Sequence, residues 1–123
     1  MHLTLYTDYS LRVLIYLGAR APELGSIPQI SAAYGISRNH LVKVVNRLGH
    51  LGYVQTLRGR GGGLRLARPA GEIRLGQVVR DTETFHLVEC FVPDQNRCPI
   101  TPACGLRRIL NEASEAFLAV LDQ

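Results

Sequence analysis

The sequence predicts a mostly α-helical fold that carries one small β-hairpin. Three observations predict it. Apolar residues recur at helical spacing in five segments. A basic, glycine-rich hexapeptide, Arg58-Gly59-Arg60-Gly61-Gly62-Gly63, separates two short strand-like runs. The length, 123 residues, suits one domain or one domain with a short appendage.

The elements follow in order. Residues 8–21 form a first helix, with Thr7 as the expected cap because its hydroxyl can accept from an N–H of the first turn. Leu11, Leu14 and Ile15 make one stripe and Val13, Tyr16 and Leu17 another, so this helix is expected to be covered on several sides. Ser26 with Gln29 three residues on has the spacing of a capping box. The helix it opens shows Ile27, Ile30 and Tyr34 on one face, and Gly35 stops it. Ser37 is the next cap. Residues 38–51 then carry Leu41, Val44, Val45, Leu48 and Leu51 in a helical stripe. The opposite face holds Asn39, His40, Lys43, Asn46, Arg47 and His50, all hydrogen-bond donors and none an acid.

Gly52 breaks that helix. Residues 53–57 and 64–67 read as two strands, with Leu64 and Leu66 on one side. The glycines between them make a flexible tip able to approach a ligand closely. Residues 73–83 form a short helix with Leu75, Val78 and Val79 inward. Residues 85–104 are mostly loop. Residues 103–121 form the last helix, with Leu106, Ile109, Leu110, Ala113, Phe117, Val120 and Leu121 on one face.

Composition excludes several classes. Hydrophobic residues make up 46% and charged ones 20%, as in globular proteins. No apolar run approaches the ~20 residues of a membrane span, and the first residues lack the pattern of a secretion signal. A cytoplasmic protein is expected. The net charge of +4 is unevenly spread: residues 1–80 carry 11 Lys and Arg against 3 Asp and Glu, and residues 81–123 carry 3 against 7. The basic portion suggests a polyanionic partner, most simply nucleic acid.

Two short helices joined at Gly35, followed by a strand pair with a basic tip, make a winged helix-turn-helix. Its second helix enters the major groove and reads base edges near its N-terminus. That places Arg38, Asn39, His40 and Lys43 at the DNA, with Arg47 farther along the same face. Arg58 and Arg60, with the backbone of Gly59 and Gly61, reach phosphates or a neighbouring groove. The capped helix ends at Ser26 and Ser37 offer N–H groups to phosphates.

The cysteines are Cys90, Cys98 and Cys104. Seven residues separate the first pair and five the second, which fits neither a zinc ribbon nor a zinc finger. Three thiolates on a loop suit an iron–sulfur cluster, whose fourth ligand must then be oxygen, nitrogen or an external molecule. Iron held by a weak oxygen ligand is open to a diatomic molecule, which suits a sensor. Three free thiols are the alternative. His2, His40, His50 and His86 are scattered and no nucleophile motif occurs, so an enzyme is not expected.

The chain resembles the iron–sulfur winged-helix transcription regulators over essentially its whole length, and their nitric-oxide-sensing branch most closely. The resemblance rests on Leu3-Thr4-Leu5-Tyr6-Thr7-Asp8-Tyr9, on Gly35-Ile36-Ser37-Arg38-Asn39-His40-Leu41-Val42-Lys43, on the wing from Arg58 to Leu66, and on Cys98-Pro99-Ile100-Thr101-Pro102-Ala103-Cys104. It implies a homodimer that represses genes for nitric oxide detoxification from a near-palindromic double-stranded operator. It implies Cys90, Cys98 and Cys104 as ligands of a cluster, 4Fe–4S rather than 2Fe–2S, with Asp8 of the partner subunit as the fourth. The branch that controls cluster biogenesis places a histidine three residues after the last cysteine; that position is Arg107 here, which cannot ligate. The Cys90–Cys98 interval is slightly longer than the family pattern, and Gln123 falls short of the usual family length. The expected division is a DNA-binding domain at 1–83, a cysteine loop at 84–104 and a dimerisation helix at 105–123. The alternatives are a redox or cluster-supply sensor with a 2Fe–2S centre, and a thiol-based regulator without a cluster.

Overall fold

The computed structural model describes residues 2–88 and 91–123. Five helices and one antiparallel strand pair are arranged in two compact units, Leu3–Ile73 and a second that contains Arg74–Gln123.

In the first unit, α1 (Leu5–Arg20) starts three residues earlier than the apolar pattern suggested. Thr4, not Thr7, is its cap: the Thr4 hydroxyl accepts from the Thr7 N–H at 3.4 Å, and Thr7 is buried in the first turn. Val13, Leu14, Tyr16 and Leu17 are buried, whereas Ile15 is 60% exposed, so one position of the first predicted stripe faces outward. Helix α2 (Ile27–Tyr34) opens on Ser26, whose hydroxyl accepts from Gln29 N–H, and buries Ile30. It closes on Gly35, whose φ of 67° is left-handed and costs a residue with a Cβ about 1–2 kcal/mol. Helix α3 (Arg38–His50) opens on Ser37 and buries Leu41, Val44, Val45 and Leu48, with Leu51 as its C-cap. Helix α1 packs on α3, and α2 packs on α3 as well.

Strands β1 (Val54–Leu57) and β2 (Gly63–Leu66) pair antiparallel, with Val54 opposite Leu66 and Leu57 opposite Gly63. Strand β1 begins one residue later than predicted, because Tyr53 is spent in the turn after Gly52 and donates back to Leu48 O; β2 begins one residue earlier, because Gly63 pairs with Leu57. Backbone bonds between Gly25 and Leu64, both 2.8 Å, pin β2 to the segment between α1 and α2. The hairpin is therefore anchored at its base. Its tip, Arg58–Gly62, projects beyond the ladder; Gly59 and Gly61 have φ of 88° and 73°, which a chain this tightly turned reserves for glycine.

In the second unit, α4 (Leu75–Thr82) buries Val78 and Val79 but leaves Leu75 49% exposed, against the inward position expected for it. The following loop contains short 3₁₀ turns at Pro93–Gln95 and Thr101–Ala103. Helix α5 (Gly105–Leu121) packs on α4. Its buried residues are Ser114 and Leu118, with Phe117 stacked at a tilt on Phe85 (centroids 6.0 Å). Leu106, Ile109 and Val120, from the stripe predicted for this helix, are 53–66% exposed. The stripe that α5 turns toward its own unit is thus displaced from the one that its sequence displays.

Candidate nucleic-acid interface and metal centre

The outer face of α3 is held in place from below. Its four buried aliphatics lock the helix, and Ser37 caps its N-terminus by accepting from His40 N–H at 3.4 Å. Arg38, Asn39, Lys43 and Arg47 are exposed and His40 is half-exposed, so all five face away from the core or lie at its rim. Arg58, Gly59, Arg60 and Gly61 are exposed on the hairpin tip. Among the described residues none of the cations Arg38, Lys43, Arg47, Arg58 and Arg60 has a carboxylate partner; the ion pairs are Asp8–Arg12, Arg80–Asp122 and Arg108–Glu112. The unit Leu3–Ile73 carries nine Lys and Arg against three acids. Its α3 face and wing therefore present uncompensated positive charge on a rigid frame, which is what binding a phosphate backbone requires.

Sequence reasoning missed the support behind that face. The Tyr9 ring meets the His40 imidazole edge-on, with centroids 4.7 Å apart and planes at 67°. Such a pair adds about 0.5–1.5 kcal/mol beyond its buried area. The Arg12 guanidinium lies 5.8 Å from the ring centroids of both Tyr9 and Tyr34, joining α1 to α2. Tyr6 sits one turn before Tyr9. Its hydroxyl is buried with no hydrogen bond among the described residues, and burial raises its pKa. The positive charge of Arg47 acts on it in the opposite, lowering direction and is the smaller effect. Only the Asp8–Arg12 spacing, one helical turn, was visible as a sequence signal.

The sulfur ligands are partly described. Cys98 and Cys104 are both half-buried, and both line one cavity of about 200 Å³ walled by Val88, Ile100, Leu106 and Leu110. Cys98 N–H donates to Asn96 Oδ1 at 3.0 Å, which shapes the loop before the thiol. Arg107 reaches the same cavity and is the one charged residue on its wall among the described residues. Cys104 also borders a wider, polar cavity of about 570 Å³ with Phe85, His86, Phe91 and Arg108, so its sulfur has an open side. Cys90 lies outside the described residues.

Asp8 belongs to the other unit. Its carboxylate accepts from Arg12 at two positions, 3.0 and 3.1 Å, in a fork that is about 40% exposed. Among the described residues no three of His, Cys, Asp and Glu converge on one point. The donor chemistry still fits an iron–sulfur cluster: two soft sulfur side chains share one apolar-walled cavity. No helix among the described residues is long and apolar enough to cross a membrane.

Comparison with known proteins identifies the family and the fold. The profile of the family described as "Rrf2: Iron-dependent Transcriptional regulator" matches residues 3–123. The chain is 59% identical to the HTH-type transcriptional regulator NsrR of Bacillus subtilis over its full length, covering 86% of that protein. It is 54% identical to the regulator of the same name from Bacillus licheniformis, of which it covers 87%. Among solved structures, T. potens IscR superposes with a TM-score of 0.76 at 20% identity, over 99% of this chain and 80% of that one, which shows a shared fold. The two Bacillus relatives are named as transcriptional regulators, not as enzymes.

Proposed function

The chain belongs to the Rrf2 family of transcriptional regulators, and from that premise we propose that it is a homodimeric repressor that senses nitric oxide through an iron–sulfur cluster. Cys90, Cys98 and Cys104 of one subunit and the partner subunit's Asp8 are the ligands in this reading, and 4Fe–4S is preferred to 2Fe–2S. The observation that supports it best is two cysteines, Cys98 and Cys104, on one apolar cavity in a chain whose recognition helix and wing bear cations with no carboxylate partner among the described residues.

When bound, the cluster supplies iron whose carboxylate ligand is weak enough to yield to a diatomic molecule. The rest is the work of this chain. Cys98 and Cys104 hold metal by soft sulfur, and Val88, Ile100 and Leu110 line the cavity with apolar side chains. Asp8 is claimed by Arg12 on its own helix. A ligand role makes it give up or share that pair, so two arrangements of the carboxylate compete. Helix α1 packs on α3, so the competition is placed where it can bias the reading helix.

Arg38, Asn39, His40 and Lys43 read base edges in this proposal. Ser26 and Ser37 present capped helix ends to phosphates. Arg47, Arg58 and Arg60, with the backbone of Gly59 and Gly61, hold the flanking backbone. The exposed residues of α5, Leu106, Ile109 and Val120, supply the dimer surface, and a two-fold dimer selects a near-palindromic operator. We assign 1–83 to DNA binding, 84–104 to the cluster loop and 105–123 to dimerisation, in the cytoplasm.

The test is an anaerobic absorption spectrum with iron and sulfide analysis, before and after nitric oxide, alongside a gel shift. The expected result is a broad visible band that nitric oxide bleaches, together with loss of a specific shift. The iron count per subunit decides the nuclearity. Cys98→Ala should remove the iron; a full complement in that variant overturns the ligand assignment. A colourless, iron-free protein that still binds one site overturns the sensor reading and leaves a regulator that acts through its thiols.

A further inference from the structure

The recognition helix carries a half-exposed histidine three positions into its first turn, and the residue that holds that histidine lies on another helix. We propose that Tyr9 is a positioning residue for sequence reading: its ring edge fixes the His40 imidazole on the outer face of α3, so that His40 discriminates at one base pair of each half-site. The inference rests on the proposal that α3 reads DNA.

Several observations support it together. The two rings meet at 4.7 Å and 67°, a geometry that leaves the imidazole little rotational freedom. Tyr9 is itself braced, because Arg12 lies over its ring and over that of Tyr34 at 5.8 Å each, and Arg12 is in turn held by Asp8 through two hydrogen bonds. The imidazole is thus the end of a chain of contacts that begins at the carboxylate fork. His40 lies near the α3 N-terminus, where a helix of this kind meets base edges. A side chain that reads a base must arrive with its rotamer already chosen, since a freely turning donor loses discrimination to competing geometries. Tyr9 touches no DNA in this arrangement; it acts through His40.

The experiment selects bound sites from a library of random 24-base-pair duplexes, using the full chain purified anaerobically. Wild type, Tyr9→Phe, Tyr9→Leu and His40→Gln are compared. Tyr9→Phe keeps the ring edge and the Arg12 contact and should reproduce the wild-type motif. Tyr9→Leu and His40→Gln should both lose preference, by about 10-fold, at the same single position of each half-site, with the other positions retained. A general loss of folding would erode every position and so cannot imitate that result. In wild type, the His40 ring protons should also show a ring-current NMR shift from the Tyr9 ring that Tyr9→Phe preserves and Tyr9→Leu removes. A Tyr9→Leu motif identical to that of wild type overturns the positioning role. A wild-type protein that enriches no motif overturns the reading of α3 on which the inference stands.

Discussion

The Arg60→Ala variant tests the wing quantitatively. Arg60 is exposed at the tip of a hairpin anchored at its base by Gly25 and Leu64, and no carboxylate among the described residues compensates it. A cation presented in this way, when it meets a phosphate, releases about 0.9 counterion from B-DNA. A dimer brings two wings, so the variant should lower the slope of log K against log salt by about 1.8. Between 50 and 200 mM salt, wild-type affinity should therefore fall about 12-fold further than that of the variant. The assay is fluorescence anisotropy on a labelled duplex carrying the selected site, at five salt concentrations. Arg108→Ala is the control, because Arg108 is already paired with Glu112 at 2.6 Å and should leave the slope unchanged. An Arg60→Ala slope equal to that of wild type would refute the reasoning and remove the wing from the contact.

Three further outcomes follow from the geometry. Leu48 has no exposed surface, so Leu48→Ala should cost about 2–5 kcal/mol in chemical denaturation; a loss below 1 kcal/mol would mean that the α3 core collapses around the gap. Ser37→Ala removes the acceptor for His40 N–H and should cost ~1 kcal/mol, with weaker DNA binding than its stability loss alone explains. The Arg80 hydrogen bond lowers the Asp122 pKa, so the contribution of that pair to stability is present above the ordinary carboxylate range and lost as pH falls through the depressed value. Asp122→Asn should therefore lower thermal stability at pH 7, by an amount that shrinks as pH falls below the ordinary carboxylate range; a deficit independent of pH would assign the effect to packing.

Much of the DNA-binding unit was legible because its signals are local. A helical stripe, a serine cap and a glycine stop are each read within four residues, and α2, α3 and the wing came out within one or two residues of their predicted bounds. The start of α1 was misplaced because Thr4 and Thr7 are both competent caps. Burial of Thr7 against the unit's core, not capping chemistry, decided between them. The faces of α5 were legible as amphipathic, but which face α4 covers depends on how two helices pack.

The sequence alone determined the kind of chemistry: where the cations cluster, that the outer face of α3 is free of acids, and that the only thiols fall on one loop. Composition and period carry that information without any fold. The tertiary structure decided the couplings. Cys98 and Cys104 meet at one cavity because a loop folds back on α5, and Tyr9 meets His40 because α1 lies across α3. Contacts between residues distant in the chain follow from helix packing, and a helix displays the same stripe in its sequence whichever neighbour comes to cover it.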